Sequence, residues 1–367
     1  MTTEQIYTLV NAVNQQAFGS SAVAVADLQG LISLGNTVLS SSTNTEAFLN
    51  TLAQRIGQTI VRFRRYRNKL SDMVLTDFEY GAILQKLYVH MPSAESDPMW
   101  ELQDGQSVDM YTVNKPVVDQ KLFVTRTPYM FSVTIQRQTL KEAFLSESGM
   151  GALISAIYGQ VRNKIEATLE NLGRLNIAAG VAEAGAGQEV KLITEYNSTG
   201  QTVTAAGALL DESFLRFAIR RIKETMDDFT DMSVMHNDGS LETFTPYEDQ
   251  RIRIISKFER ALETCVEWAA FNEEYVKLAG YSKLNFWQGE QDPYKIHVER
   301  PSDGTEVEKD NIICVIHDRD ALGIYQEYEE ILTSPINAKG NYFNQYWHRK
   351  DARMLDRSEN FVYFTLS

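Results

Sequence analysis

Cysteine is nearly missing from this chain: Cys265 and Cys314 are the only two, far apart and in no CxxC pair. A disulfide scaffold is thereby excluded, and a reducing, intracellular origin is favoured. Long apolar runs are also lacking. No stretch approaches the roughly 20 apolar residues that span a bilayer. The opening MTTEQIYTLVNAVNQQ has neither the basic start nor the apolar run of a signal peptide. No membrane partner is expected, and the single glycosylation-type triplet, Asn197-Ser198-Thr199, lies in a polar loop. Positive charge is scarce, with 35 Lys and Arg against 49 Asp and Glu, a net −14. Phosphate neutralisation drives nucleic-acid affinity, so a freely diffusing reader is usually basic. This chain has the wrong sign unless its cations are gathered in one place.

Catalytic signatures are absent too. His90, His236, His297, His317 and His348 form no HExxH and no pair at metal-ligand spacing. In AGAGQE (184–189), Val190 stands where a third glycine would complete GxGxxG. Walker A and GxSxG sequences do not occur. Asp227-Asp228 and Glu329-Glu330 are adjacent residues whose side chains diverge, which makes poor acid–base dyads. In CVIHDRD, Cys314, His317, Asp318 and Asp320 could be a thiol–imidazole pair or a metal corner. A buried strand ending in a polar turn is preferred, since a free buried cysteine usually packs as a small hydrophobe. No catalytic residue, metal or cofactor is expected, and the chain reads as a non-enzyme.

What remains is a globular composition, 43% hydrophobic with 17 Phe, 17 Tyr and 4 Trp in 367 residues, enough for two or more cores. Residues 3–16 fit an amphipathic helix through Ile6, Leu9, Val10 and Val13. A soft Ser/Gly stretch through SLGNTVLSSSTN follows, and Asn44 is placed to cap a helix carrying Phe48, Leu49, Leu52 and Ile56. Residues 1–60 read as an arm that packs on something else, this chain or a neighbour. From Leu84 to Arg137 short strands alternate (LYVHM, SVDMYTV, KLFVT, MFSVTIQ) around a Pro-, Asp- and Ser-rich turn. They suggest a long two-stranded excursion, which needs a partner surface because isolated hairpins are marginal in water.

The longest helical pattern runs from Leu153 to Ala178, about 39 Å at 1.5 Å per residue. Its apolar stripe is Ile154, Ile157, Val161, Ile165, Leu169 and Leu172. Arg162, Glu166, Glu170 and Arg174 form another face, and Gly180 is a natural stop. Small strands are expected in VKLIT and QTVTA, a helix capped by Asp211, and helices over roughly 247–279 entered through Pro246. Strands YKIHV, NIICVIH and NFVYFTLS close the chain. RFRRYRNK concentrates Arg62, Arg64, Arg65, Arg67 and Lys69 around Phe63 and Tyr66. Single-strand nucleic-acid binding and ion pairing across an interface both fit this patch; ion pairing is favoured in so acidic a chain.

The order of these parts resembles the major capsid protein of tailed bacteriophages, the Hong Kong 97-like fold shared with encapsulins. The phrases carrying the resemblance are FLNTLAQRIGQTIVRFRRY, YGAILQKLYVHMPSAESDPMW, KLFVTRTPYMFSVTIQRQTLKEAF and ALISAIYGQVRNKIEATLENL. It implies an α+β fold with an N-terminal arm (1–75), an extended β-hairpin loop, the E-loop (76–140), and a peripheral domain with a spine helix (141–205). An axial domain (206–325) and C-terminal return strands of the peripheral domain (326–367) follow. It implies a homo-oligomer of pentamers and hexamers closing an icosahedral shell around double-stranded DNA, which it touches weakly and without sequence specificity. Scaffold, portal or decoration proteins are implied partners, any scaffold being a separate one since the arm starts almost at Met1. The virion is the implied location, with assembly in the host bacterial cytoplasm. Met91, Trp100, Leu102, Phe123, Arg62, Arg64, Arg65 and Arg67 are the inter-subunit contact candidates. An encapsulin compartment, an enzyme built around His317 and a single-strand binder using Arg62 to Lys69 are the competing readings.

Overall fold

A computed structural model describes residues 3–19, 24–56, 65–75, 84–92, 94–100, 102–105, 107–108, 111, 113–268 and 281–367. In chain order the helices are α1 (Thr3–Phe18), α2 (Leu28–Leu39), α3 (Ser42–Ile56), α4 (Arg137–Phe144), α5 (Glu147–Leu153), α6 (Gly159–Glu183), α7 (Leu192–Ser198), α8 (Glu212–Asp228) and α9 (Ser256–Trp268). The strands are β1 (Val74–Leu75), β2 (Leu84–Val89), β3 (Val118–Phe123), β4 (Thr125–Gln136), β5 (Glu189–Lys191), β6 (Gln250–Ile255), β7 (Tyr281–Leu284), β8 (Ile296–Glu299), β9 (Glu306–Lys309), β10 (Ile312–Asp318), β11 (Leu322–Thr333), β12 (Tyr342–Leu355) and β13 (Phe361–Thr365). The chain divides into two units. The first comprises Met1–Ala82, Arg126–Gly173 and Ile324–Ala352; the second comprises Ile83–Thr125, Arg174–Gly323 and Arg353–Ser367. This division cuts across the expected segments: the β2–β3 hairpin groups with the second unit, and most of β4 with the first.

In the first unit the expected stripe is the core. Ile154, Val161, Ile165, Leu169 and Leu172 bury against Leu9 and Val13 of α1, Leu34 of α2, Phe48 of α3, Phe144 of α4 and Trp347 of β12. The residues expected as an arm thus fold into helices on the chain's own core. Helix α2 occupies the stretch read as soft. Its Gly35 lets Phe144 close in, since a Cβ there would lie 2.7 Å from the Phe144 Cβ. Asp27 caps α2 by accepting from the Gly30 N–H at 2.7 Å. Helix α3 begins earlier than expected, and Ser41 rather than Asn44 caps it, accepting from the Asn44 N–H at 3.1 Å. A π-turn, Ile154–Tyr158, joins α5 to α6. The sheet runs β1-β11-β12-β4, so MFSVTIQ pairs outside the excursion to which it was assigned. Ion pairs lace this sheet: Arg126 and Lys350 each reach Glu327 at 2.9 Å, and Arg349 reaches Glu329 and Asp351 at 3.0 Å.

The polar face of α6 is not a solvent face. Glu170 is buried and accepts from the Tyr66 hydroxyl at 2.7 Å and the Lys69 N–H at 3.1 Å. Asn163 accepts from the Tyr66 N–H at 2.9 Å. Leu70 fills the notch at Gly173, where a Cβ would come within 2.9 Å of its Cδ1. Residues 65–70 are therefore strapped along the helix.

In the second unit a sheet of order β5-β13-β10-β6-β7 is covered by α7, α8 and α9. Strand β10 is buried throughout, paired antiparallel with β6 and β13. Asp211 caps α8 as expected, accepting from the Phe214 N–H at 2.9 Å. Three local expectations fail. VKLIT is a strand only to Lys191, because Leu192, Ile193 and Tyr196 fall on one helical face and bury. QTVTA forms no strand. Residues after Pro246 do not enter a helix. The Pro246 carbonyl closes a turn with the Asp249 and Gln250 N–H groups. The β-branched run then becomes β6, hydrogen-bonded on both sides, before α9 begins at Ser256. Residues 269–279 of that expected helical region lie outside the described residues. Gly180 is not a stop, and α6 continues to Glu183. Glycine is needed there for close approach, since a Cβ at 180 would meet Phe361 Cε2 at 2.8 Å.

The β2–β3 hairpin is held by charge. Lys86 and Lys121 stand directly opposite across the strands, an arrangement that repels by itself. Asp356 lies between them, fully buried, 2.9 Å from Lys86 Nζ and 3.3 Å from Lys121 Nζ. It also accepts from the Tyr88 hydroxyl and from the Ser358 N–H and hydroxyl. Glu359 adds a 2.5 Å contact to Lys86. Its carboxyl is pushed up by burial, against the pull of Lys86.

Two predictions follow from this packing. In an exposed helix Gly→Ala gains about 0.8–1.0 kcal/mol, whereas Gly180→Ala is expected to lose about 1–2 kcal/mol in urea unfolding because the methyl overpacks Phe361. Asp356→Asn removes the charge between two opposed ammonium groups, at about 3 kcal/mol for a broken buried pair. Amide exchange in β2 and β3 is expected to quicken roughly a hundredfold, while β10 and β13 keep their protection. Unchanged exchange in the hairpin would show that the strands hold without the carboxylate.

Candidate assembly interface

Pairing in the β2–β3 hairpin runs from Leu84 opposite Phe123 to Val89 opposite Val118. Side chains alternate between faces. Leu84, Lys86 and Tyr88, with Phe123, Lys121 and Asp119, share one face. Gln85, Leu87 and Val89, with Leu122, Gln120 and Val118, share the other. The polarity is inverted relative to an ordinary surface hairpin: the lysines turn toward the Asp356 cluster, and four aliphatics face outward. Leu87, Val89, Val118 and Leu122 are all exposed.

Beyond the hairpin the chain runs out through residues 90–117. His90 Nε2 meets Asp119 at 2.6 Å, and the His90 N–H donates to the Val117 carbonyl at 2.9 Å, so the pairing extends one step past β2. Asp97 accepts from the Met99 N–H at 2.9 Å and fixes a short 3₁₀ turn at Pro98–Trp100. Trp100 at the end of that turn is 80% exposed and Tyr111 is 82% exposed. Met91, Met99, Leu102 and Val113 are exposed as well. Large apolar side chains gathered exposed in one segment make it a candidate contact site. Burying one Leu- or Val-sized side chain is worth roughly 1.5–3 kcal/mol, so a surface that covered this loop would gain substantially.

The other contact candidates separate clearly. Phe123 is 9% exposed and belongs to the inward face, opposite Leu84. Arg65 and Arg67 are exposed on the strap along α6. Arg62 and Arg64 lie outside the described residues. The inverted hairpin itself was missed in the sequence, because inward lysines and outward aliphatics blur the period-two pattern. The usable signal was Tyr88 sharing its face with Lys86.

The enzyme reading finds no open site at its residues. His317 is fully buried. Its Nδ1 lies 2.7 Å from the Asp318 carbonyl, its Nε2 3.3 Å from Arg253 Nε, and its ring stacks on Phe361. Burial pushes the Cys314 thiol well above its usual range. Asp318, pushed up by burial, accepts from the Thr245 hydroxyl at 2.7 Å. At AGAGQE the Gln188 side chain closes the turn, accepting from the Gly185 N–H at 2.7 Å and donating to the His236 and Phe361 carbonyls at 3.1 Å. Among the described residues no cluster of His, Cys, Asp or Glu could hold a metal ion, and no helix is long and apolar enough to cross a membrane.

The capsid structure of Staphylococcus phage Andhra aligns with a TM-score of 0.55 at 11% identity, covering 84% of this chain and 87% of that one. The capsid structure of cyanophage P-SCSP1u aligns with a TM-score of 0.51 at 13% identity, covering 84% and 90%. At such identities these likenesses show the fold alone, an α+β capsid fold. In sequence, the major capsid protein of Bacillus phage B103 is 22% identical over 364 residues, 98% of this chain and 72% of that protein. The family model described as Phi29-like phage major capsid protein matches residues 9–365. That match runs almost from end to end, and the chain belongs to the Phi29-like phage major capsid protein family, a major capsid protein of a tailed bacteriophage.

Proposed function

We propose that copies of this protein join through the extended loop, residues 84–123, into rings of five and six that close an icosahedral shell around double-stranded DNA. The observation that carries the reading is the outward apolar face of β2 and β3, continued by Met91, Met99, Trp100 and Leu102. A loop on one copy that meets a different patch on the next makes a heterologous contact, and such contacts close into rings when the rotation permits. In this reading α6 is the spine helix, the first unit is the core of a peripheral domain, and the β5–β13–β10–β6–β7 sheet with α7 to α9 is the axial domain.

The product is a component of the virion, assembled in the host cytoplasm, with packaged DNA as a weak, non-specific neighbour. A scaffold, portal or decoration protein completes the particle. The chain performs no catalysis: the sequestered Cys314–His317–Asp318 strand supports a structural role for these residues. Each loop contact is modest, and a closed shell multiplies it, because every later contact forms within an already tethered assembly.

Deleting Ser93 to Gln106 tests the reading. The expected product folds, with a circular dichroism spectrum like the parent, and yields neither rings nor shells in negative-stain electron microscopy. Replacing Leu87, Val89, Val118 and Leu122 together by Ser is expected to do the same, since these side chains are exposed and support no core. Normal particles from both variants would remove the loop from the assembly interface.

A further inference from the structure

We infer that the groove between the start of α8 and the outer face of α9 binds a free fatty-acid-like ligand, one carboxylate on an unbranched aliphatic chain. The groove lies wholly within the second unit and shares no residue with the extended loop, so it is independent of the assembly reading.

The groove follows from how α9 is placed. Phe258 and Leu262 bury one face of the helix in the second core. Lys257, Arg260, Ala261 and Thr264, spaced by three and four, share another face. The opposite wall is a 3₁₀ turn, Ala208–Leu210, running into the first turn of α8. Leu209, Leu215 and Ala261 form an apolar floor resting on the core. Leu210 stands at the lip, 88% exposed. Its N–H donates to the Gly207 carbonyl at 2.9 Å, which holds the lip in place. The volume is about 480 Å³, within the roughly 300–1,000 Å³ of small-molecule sites.

Charge selects the occupant. Lys257 and Arg260 are exposed on the same wall, and neither forms an ion pair among the described residues. Glu212, the only carboxylate among the described residues of the lining, is held by Arg216 at 2.5 Å. In a chain of net −14 this is a local surplus of positive charge beside apolar surface. The Lys257 ammonium also lies 5.8 Å from the centre of the Tyr294 ring, a contact that positions it without neutralising it. Arg260 offers a carboxylate two parallel N–H donors. The rest of the groove asks for the opposite chemistry. The Thr264 hydroxyl is spent on the Arg260 carbonyl at 2.9 Å, and the floor is aliphatic. A peptide would lay backbone N–H and C=O groups on that floor without partners, at a desolvation cost. An aliphatic chain brings none.

Dodecanoate below its micelle concentration, titrated calorimetrically into the full chain, tests the assignment, and a diazirine-bearing dodecanoate locates the site. One-to-one binding is expected, with label on peptides covering 209–215 and 257–264. Each methylene removed, through decanoate to octanoate, is expected to weaken binding about fourfold. The double variant Lys257→Gln, Arg260→Gln is expected to weaken it about tenfold and to remove most of its salt dependence. Both side chains are exposed, so the circular dichroism spectrum is expected to match the parent. Thr264→Trp, also exposed, is expected to block the groove. Absent binding, equal binding of dodecylammonium, or unaltered binding by both variants overturns the site. Label concentrated on residues 84–123 assigns the affinity to the exposed hairpin and overturns it as well. Retention on phosphatidylglycerol vesicles without binding of monomeric dodecanoate assigns the cations to a lipid surface instead. Label at the groove that persists in the double variant but disappears on assembly assigns the groove to a second copy; either result overturns the proposal.

Discussion

The packing of α6 is the constraint on which the rest of the structure depends. Its first half is amphipathic, with one buried stripe and one face occupied by the strap. From Asn176 onward it is buried on every side: Asn176, Ile177, Ala178, Ala179, Val181, Ala182 and Glu183 are all sequestered. A helix buried all round needs small residues where neighbours approach and partners for every polar group. Ala178, Ala179, Gly180 and Ala182 supply the first. Asn176 supplies the second, donating to the Met354 carbonyl at 2.7 Å and the Gly323 carbonyl at 3.3 Å. Glu183 does likewise, accepting from the Ser302 N–H at 2.6 Å and from Arg357 at 3.1 Å.

Where apolar period matched burial, the sequence could be read. The stripe from Ile154 to Leu172, helix α1, the Asp211 cap and strand β10 all follow their patterns. The failures share a cause. Helix α2 contains Gly30, Gly35, Ser33 and Asn36, and small or polar residues in a row look like a linker. Gly35 is present because Phe144 packs against its backbone, and nothing local signals that. Gly180 was read as a terminator for the same reason. Strand β6 was hidden behind Pro246, whose turn resembles a helix start until the chain leaves it. These are tertiary facts written in residues whose local meaning points elsewhere. The exposed apolar loop was half legible. Exposed Met91, Trp100 and Leu102 lie in an obviously polar excursion, whereas Phe123 gave the same apolar signal and turned inward, because register decides face.

Charge and burial are exchanged along the hairpin. Two half-buried lysines and a buried carboxylate meet at its base, and aliphatics stand in solvent. A buried ion cluster is a costly way to hold two strands, since desolvation offsets most of its attraction. It does confer geometry. Asp356 bonds Lys86, Tyr88, Lys121 and its own turn at Ser358, so the hairpin has one arrangement that satisfies all of them. An apolar anchor would tolerate sliding, whereas a carboxylate held by several donors does not. For the loop contact proposed above, fixed direction matters more than added stability.

The acidic balance then acquires a physical role. A protomer with exposed Trp100, Tyr111, Leu87 and Leu122 would aggregate without some opposing force. Net charge provides it, because −14 on each copy keeps free subunits apart at long range while leaving short-range contacts intact. Non-specific apolar collisions bring like charges together and fail. Selectivity of this kind needs no strong single contact. It needs only that charge and apolar surface are complementary in the same contact.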